Sequence, residues 1–248
     1  QWSDFKGEFG WRADTVGNVF VLSRNLPYIS QSMMYVPELE IENPSIIDEL
    51  VTFAKTNNPM FLRLEVLNQV DCDDAKKIRQ KLKNTGFIKA FEELQPEHRQ
   101  IIDLTQSEED ILQNMKEKGR YNTRLAQKKG IRIEITKGDD TQAPEKLKIV
   151  FDVYQKTAER KSISGRSYSY FEKLLESFKD EIVLAIAYSD TAPLAGSLTI
   201  LHGGVASYLY GGSSSEQRQL MAPYLLHYEI MKYAKANGCS TYDLLAIA

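Results

Sequence analysis

Two hydrophobic periods alternate along this chain. GNVFVLSR (17–24) places apolar and polar residues in turn, as a half-buried strand does, and MMYVP (33–37) reads as its partner. Asn43 then Pro44 set a helix cap and a proline at the first helical position, and Ile46, Ile47, Leu50, Val51 and Ala54 continue as a helical stripe. MFLRLEV (60–66) is a strand with Met60, Leu62, Leu64 and Val66 on one face and Phe61, Arg63 and Glu65 on the other. A helix over about 73–84 stops at Gly86 and leads into strands near 87–92 and 98–104. Ser107, with Asp110 three positions on, opens a helix that Gly130 closes, and IRIEIT follows as a strand.

The second half repeats the rhythm. Helices are expected at about 143–160 and 168–178, then strands EIVLAIAY and PLAGSLTILH, a turn at Gly203–Gly204 and the strand VASYLYGG. The loop SSSEQRQLMA leads to a helix from Pro223 to Asn237, which Gly238 ends before a last strand. This order predicts an α/β (α+β) protein of two lobes, with mixed sheets flanked by helices. The boundary is expected near 130–145, giving a first domain over 1–135 that carries the helix 107–130, and a second over 136–248.

Composition narrows the class. With 42% apolar and 26% charged residues in 248, the chain is an ordinary globular one, long enough to bury a core in each lobe. No apolar run reaches the roughly 18 residues of a membrane span, and no signal-peptide pattern opens the sequence. It opens on Gln1 rather than Met and ends in STYDLLAIA, a strand read to its limit, so a fragment truncated in its second domain is expected. Cys72 and Cys239 lack CxxC spacing, which points to a reduced, cytosolic protein. His98, His202 and His227 are scattered, and no metal-ligand spacing occurs.

Against a net charge of only −3, one stretch stands out: Lys116, Arg120, Arg124 and Lys128 recur every four residues, with Glu117 the sole acid among them. On a helix they form a stripe about 18 Å long, and its three like-charge contacts cost on the order of 1 kcal/mol. Charge alone leaves two readings, a solvated face or a seat for phosphates.

The run IIDLTQSEEDILQNMKEKGRYNTRLAQKKGIRIE resembles the domain junction of the Fem-type (FemABX) peptidyltransferases, which build peptidoglycan cross-bridges. QWSDFKGEFGW is similar to that family's opening helix, and ERKSISGRSYSYFEKL to its Arg-x-x-x-Tyr-Phe segment. SYLYGGSSSEQRQLMAPYLLHYEIMKYAKANGCSTYDL resembles its last core, with Tyr-x-Tyr-Gly and Ala-Pro-Tyr motifs. The resemblance implies two tandem GNAT-like acyltransferase domains and an aminoacyl-tRNA donor. It further implies a UDP-linked or lipid-linked muropeptide acceptor and amide formation without a cofactor. A cytoplasmic enzyme follows, at the inner face of the membrane with peripheral contact if the acceptor is lipid-linked.

Residue by residue, the resemblance implies substrate binding by Lys6, Arg166, Tyr170, Tyr208 and Tyr210. By alternation alone, Tyr208 and Tyr210 point to one side of their strand, where two aromatics serve either a core or a ligand. Glu65 stands where the family carries an aspartate, which makes it the candidate catalytic carboxylate, with an ion pair to Arg63 as the plain alternative. After YVP the family continues with a basic or small residue and Gly-Pro, whereas Glu38-Leu39-Glu40 here would repel a diphosphate. Lys116, Arg120, Arg124 and Lys128 are the expected contacts to tRNA phosphates. Two rivals are a CoA-dependent N-acyltransferase of the same fold and a non-catalytic binder of cell-wall precursors. Against the first, the loop QRQLMA has Leu220 where the pyrophosphate cradle needs a glycine.

Overall fold

In a computed structural model, the described residues are 1–67, 73–92, 94–96, 98–190 and 192–246, so Cys72 lies outside them. The chain divides into two compact units after Glu97.

The first unit opens with α1 (Trp2–Gly7), β1 (Arg12–Val16), β2 (Val19–Asn25) and β3 (Ser32–Leu39). It continues with α2 (Ser45–Asn57), β4 (Phe61–Val66) and α3 (Asp73–Asn84). The sheet runs β1-β2-β3-β4, antiparallel except for β3–β4, which α2 joins as a crossover. α2 begins one residue later than expected, at Ser45 with Pro44 as its N-cap residue, and Asn43 Oδ1 accepts from the Ser45 N–H at 3.0 Å. Val21, Met34, Val36 and Leu39 of the sheet pack on Ile47 and Leu50 of α2 and Ile78 of α3. Residues 87–92 are not the expected strand. Side chains of β4 take the place of a backbone ladder there: Arg63 donates to the Glu92 carbonyl, and Glu65 Oε1 accepts from the Leu94 N–H at 3.4 Å.

The second unit comprises β5 (Arg99–Asp103), α4 (Glu108–Asn114), α5 (Glu117–Lys128), β6 (Arg132–Lys137), α6 (Ala143–Arg160) and α7 (Tyr168–Phe178). Then come β7 (Ile182–Ser189), β8 (Ala192–His202), β9 (Val205–Ser213), α8 (Ala222–Ala236) and β10 (Thr241–Ala246). Its sheet runs β5-β10-β9-β8-β7-β6, with β9–β10 the parallel pair. Gly203 and Gly204, both at positive φ, close the β8–β9 hairpin as the sequence predicts. α6 lies over the face where Gly196 and Gly212 leave room for its backbone, and α8 packs with α5 on the opposite face.

The boundary falls some forty residues earlier than the hydrophobic pattern suggests, because 98–130 is built into the second core. β5 pairs with β10, and Arg99 with the buried Asp243. Lys235 Nζ donates to the carbonyls of Leu104 and Gln106 at 2.7 and 2.8 Å, and the Tyr228 hydroxyl to that of Glu108 at 3.2 Å. Leu104, Ile111, Leu112 and Ala126 are buried in the α8 cluster. The single helix expected over 107–130 is two, since Met115 and Lys116 are both extended. Ser107 caps the first as predicted, its Oγ accepting from the Asp110 N–H at 3.1 Å.

Candidate functional site

In the second unit, the predicted residues Arg166, Tyr170 and Tyr210 come together. Ser167 caps α7 by accepting from the Tyr170 N–H at 3.3 Å, which fixes Tyr170 in the first turn and leaves Arg166 just outside the helix. The Arg166 guanidinium then lies 5.1 Å from the centre of the Tyr170 ring. The Tyr210 hydroxyl is 3.4 Å from that of Tyr170, and the two rings meet edge to face at 6.0 Å. Burial, then the neighbouring Tyr210 oxygen, raises the Tyr170 phenol well above its ordinary value. At neutral pH it therefore keeps its proton, and its oxygen accepts from the Tyr210 hydroxyl.

Sequence reasoning missed Tyr154. Its hydroxyl, on α6, accepts from the Arg166 N–H at 2.9 Å. Its ring meets Tyr210 at 5.9 Å and Phe171 at 5.0 Å, and Phe171 meets Tyr210 at 4.9 Å, so the three rings form one cluster. Thr157 completes the docking of α6 on β9, donating to the Ser213 carbonyl at 3.0 Å and accepting its N–H at 2.9 Å.

Tyr208 does not join this group. Opposite β8, Leu198 pairs with Tyr210 and Thr199 with Tyr208, so Leu209 is an extra residue in β9. Such a bulge cancels the alternation and sends the two tyrosines to opposite faces of the sheet. Tyr208 faces α8, its ring 4.8 Å from that of His227. Burial pushes its phenol up to about 12. His227 Nδ1 lies 2.8 Å from the hydroxyl of the fully buried Tyr242, and burial pushes the imidazole down to about 4. His227 is thus neutral at pH 7, and nothing in its sequence spacing signalled this partly buried polar pair.

The loop before α8 is closed on itself. Arg218–Leu220 form a 3-10 turn, in which the Leu220 N–H donates to the Gln217 carbonyl at 2.9 Å and the Met221 N–H to that of Arg218 at 3.1 Å. These are the donors that a pyrophosphate cradle must present outward. The left-handed residues are Gln217 and Met221, whereas the sequence reading placed that demand on Leu220.

The basic stripe lies on α5 with Lys116 as its N-cap residue. Arg120 is engaged by backbone: its Nη1 donates to the Gln113 and Met115 carbonyls at 2.6 and 3.1 Å, serving the C-terminus of α4. Lys116, Arg124 and Lys128 are exposed, and Arg124 stands 4.0 Å from Glu109.

In the first unit, Lys6 Nζ sits over the Trp2 ring at 4.7 Å. Glu65 Oε1 accepts from Arg63 Nε at 2.7 Å, both side chains being mostly buried, so the ion pair anticipated as the plain alternative is formed. Beside it, burial raises the Tyr35 phenol, whose oxygen accepts from Gln95 at 3.2 Å.

Comparison with known proteins places this geometry. The FemAB family pattern matches residues 21–192 and 188–248. The Lipid II:glycine glycyltransferase of Staphylococcus epidermidis is 20% identical over 327 residues, spanning 98% of this chain and 77% of that protein. Its namesake from Staphylococcus aureus is 21% identical over 332 residues, with the same coverage. In structure, FemX superposes with a TM-score of 0.78 at 19% identity, over 99% of this chain and 82% of its own. The L-PGS of Bacillus licheniformis shares the fold at a TM-score of 0.59 and 14% identity, over 97% of this chain and 71% of its own. The chain belongs to the FemAB family, and its two mixed sheets flanked by helices share the fold of FemX.

Proposed function

We propose that the protein transfers an amino acid from aminoacyl-tRNA to the stem peptide of a lipid-linked peptidoglycan precursor. The observation that carries this reading is the convergence of Arg166, Tyr170 and Tyr210 in a chain whose relatives are named for glycyl transfer to Lipid II. A guanidinium beside the Tyr170 phenol, which Tyr210 holds by donating to it, suits the diphosphate of such a precursor. The closed turn ahead of α8 argues against coenzyme A as donor.

In the proposed reaction the free amine of the stem peptide attacks the ester carbonyl of the aminoacyl-tRNA. A C–N bond forms, the C–O bond to the ribose breaks, and the amine's proton ends on the released ribose hydroxyl. We assign Glu65, one carboxylate oxygen of which accepts from Arg63, to orienting the incoming amine. Lys6 adds a cation for the acceptor, and Lys116, Arg124 and Lys128 hold the tRNA acceptor arm by its phosphates. Arg120 shapes that surface by joining α4 to α5.

The test incubates the protein with a charged tRNA pool and, separately, lipid-linked and UDP-linked precursors, and weighs the stem peptide. Extension of the lipid-linked stem is expected; a stem unchanged with both acceptors overturns the reading, and extension of the UDP-linked one alone corrects the acceptor. Tyr170→Phe should raise the acceptor KM about tenfold, the loss of one hydrogen bond to a charged group, with kcat little changed.

A further inference from the structure

One end of the first unit carries apolar side chains that no core explains. The β2–β3 turn projects there, closed by the Leu26 N–H to the Gln31 carbonyl at 2.8 Å. Its tip is Pro27-Tyr28-Ile29, with Tyr28 at positive φ and wholly exposed and Ile29 46% exposed. β4 starts at the same end, since the Met60 N–H donates to the Ser32 carbonyl at 2.8 Å and Phe61 pairs with Met33. Met60 and Phe61 are 52% and 43% exposed. The turn after α3 returns there as well: a pocket of about 330 Å³ opens among Val51, Lys55, Pro59, Leu62, Gly86 and Phe87. Ile88, 91% exposed, follows directly.

Positive charge predominates at this end. The segments 24–37, 50–64 and 75–91, which supply the residues named above, contain no aspartate or glutamate, in a chain with more acids than bases, and Lys81 in the last turn of α3 pairs with Asp48 of α2 at 2.6 Å. Exposed cations frame the apolar tip. Arg24 stands one residue from the end of β2, Lys55 in the last turn of α2 and Lys83 in the last turn of α3, and Lys89 follows Ile88.

We propose that this end of the first unit docks on an anionic lipid bilayer, with Tyr28, Ile29 and Ile88 sinking among the headgroups and Arg24, Lys55, Lys83 and Lys89 meeting lipid phosphates. Aromatic and aliphatic side chains on projecting turns, ringed by cations, match a surface that is apolar within and negative at its face. A second copy fits less well, because a two-fold contact through this end sets cations against cations. A nucleic acid would use the cations and Tyr28 but gives no role to Ile29 and Ile88. No helix among the described residues is long and apolar enough to cross a membrane, so the contact is peripheral. The inference stands whether the acceptor carries a lipid or UDP.

The experiment floats the full chain with vesicles of phosphatidylcholine alone or mixed with phosphatidylglycerol, free of precursor, at low and high salt. Capture by the anionic vesicles, weakening with salt and largely absent on the neutral ones, is expected. Tyr28→Ser with Ile29→Ser should lower the bound fraction about tenfold, and Lys55→Gln with Lys83→Gln should lower it by a similar factor. Both variants should keep the wild-type unfolding midpoint, because the altered side chains are exposed. Wild-type protein that stays out of the anionic vesicles at low salt overturns the proposal. So does capture that neither variant weakens, or a dimer without vesicle binding that the Tyr28 variant dissociates.

Discussion

The two units contain one module built twice. In the first, β1-β2-β3 run antiparallel and α2 carries the chain to β4, parallel to β3; in the second, β7-β8-β9 and α8 lead in the same way to β10. What differs is the flanks. The second module has β6 beyond β7 and β5 beyond β10, and α6 covers its other face, whereas β4 is the last strand of its sheet. Seven of the eight residues of β7 are buried, and β10 buries Tyr242 and Asp243, while β4 buries none of its six. A flanked module can enclose polar groups in a packed surround and hold them to a geometry; an unflanked one presents side chains outward. The tyrosine group belongs to the first kind and the bilayer-facing end to the second.

The sharpest way to break this comparison is to truncate one aromatic in each parallel strand. Tyr242→Ala removes a fully buried ring from β10 and should cost about 4 kcal/mol in urea unfolding. Phe61→Ala, at the start of β4, should change stability by less than about 0.5 kcal/mol. Equal losses would show that the flanking strands do not set the difference.

Acid sharpens it next. The folded-state pKa of His227, about 4, lies below the ordinary 6.5. Between those values the unfolded chain binds a proton that the folded chain refuses, so stability falls as pH drops from 6.5 toward 4 and levels off below. The loss reaches up to about 3 kcal/mol. The first unit contains no histidine, so this group acts on the second unit alone. His227→Gln should flatten the unfolding midpoint across that window, and an unchanged slope would assign the acid loss to carboxylates.

Much of this was legible in sequence, and the failures have physical causes. The β8–β9 hairpin, the Ser107 cap and the end of the helix over 73–84 followed from local chemistry: a glycine pair, a hydroxyl three residues before a partner, a glycine stop. The Arg166–Tyr170 pairing was legible by resemblance, because both residues flank one helix start. Tyr208 was misplaced because a single extra residue in β9 reverses a face, and alternation carries no mark of a bulge. The domain boundary was misread because helix 107–130 looks like a linker until β10, far along the chain, supplies the partner for β5. Tyr154 carries no local motif, and its link to Arg166 joins positions twelve residues apart on either side of a helix end.

The smallest expected effect separates two arginines that the sequence treats as equals. Arg120 and Arg124 occupy successive rungs of one basic stripe, but only Arg120 donates to the carbonyls that the α4–α5 break leaves open. Arg120→Gln should therefore cost about 1 kcal/mol of stability, a charge-assisted bond partly replaced by solvent. Arg124→Gln should cost nothing beyond about 0.5 kcal/mol, since its nearest acid is exposed and 4.0 Å away. With tRNA the order reverses. Arg124→Gln, alone or with Lys128→Gln, should flatten the salt dependence of binding by close to one unit of slope per charge removed, with the fold unperturbed. Binding that loses slope only when Arg120 is replaced would mean that the stripe acts through the helix junction and not by direct contact with phosphates.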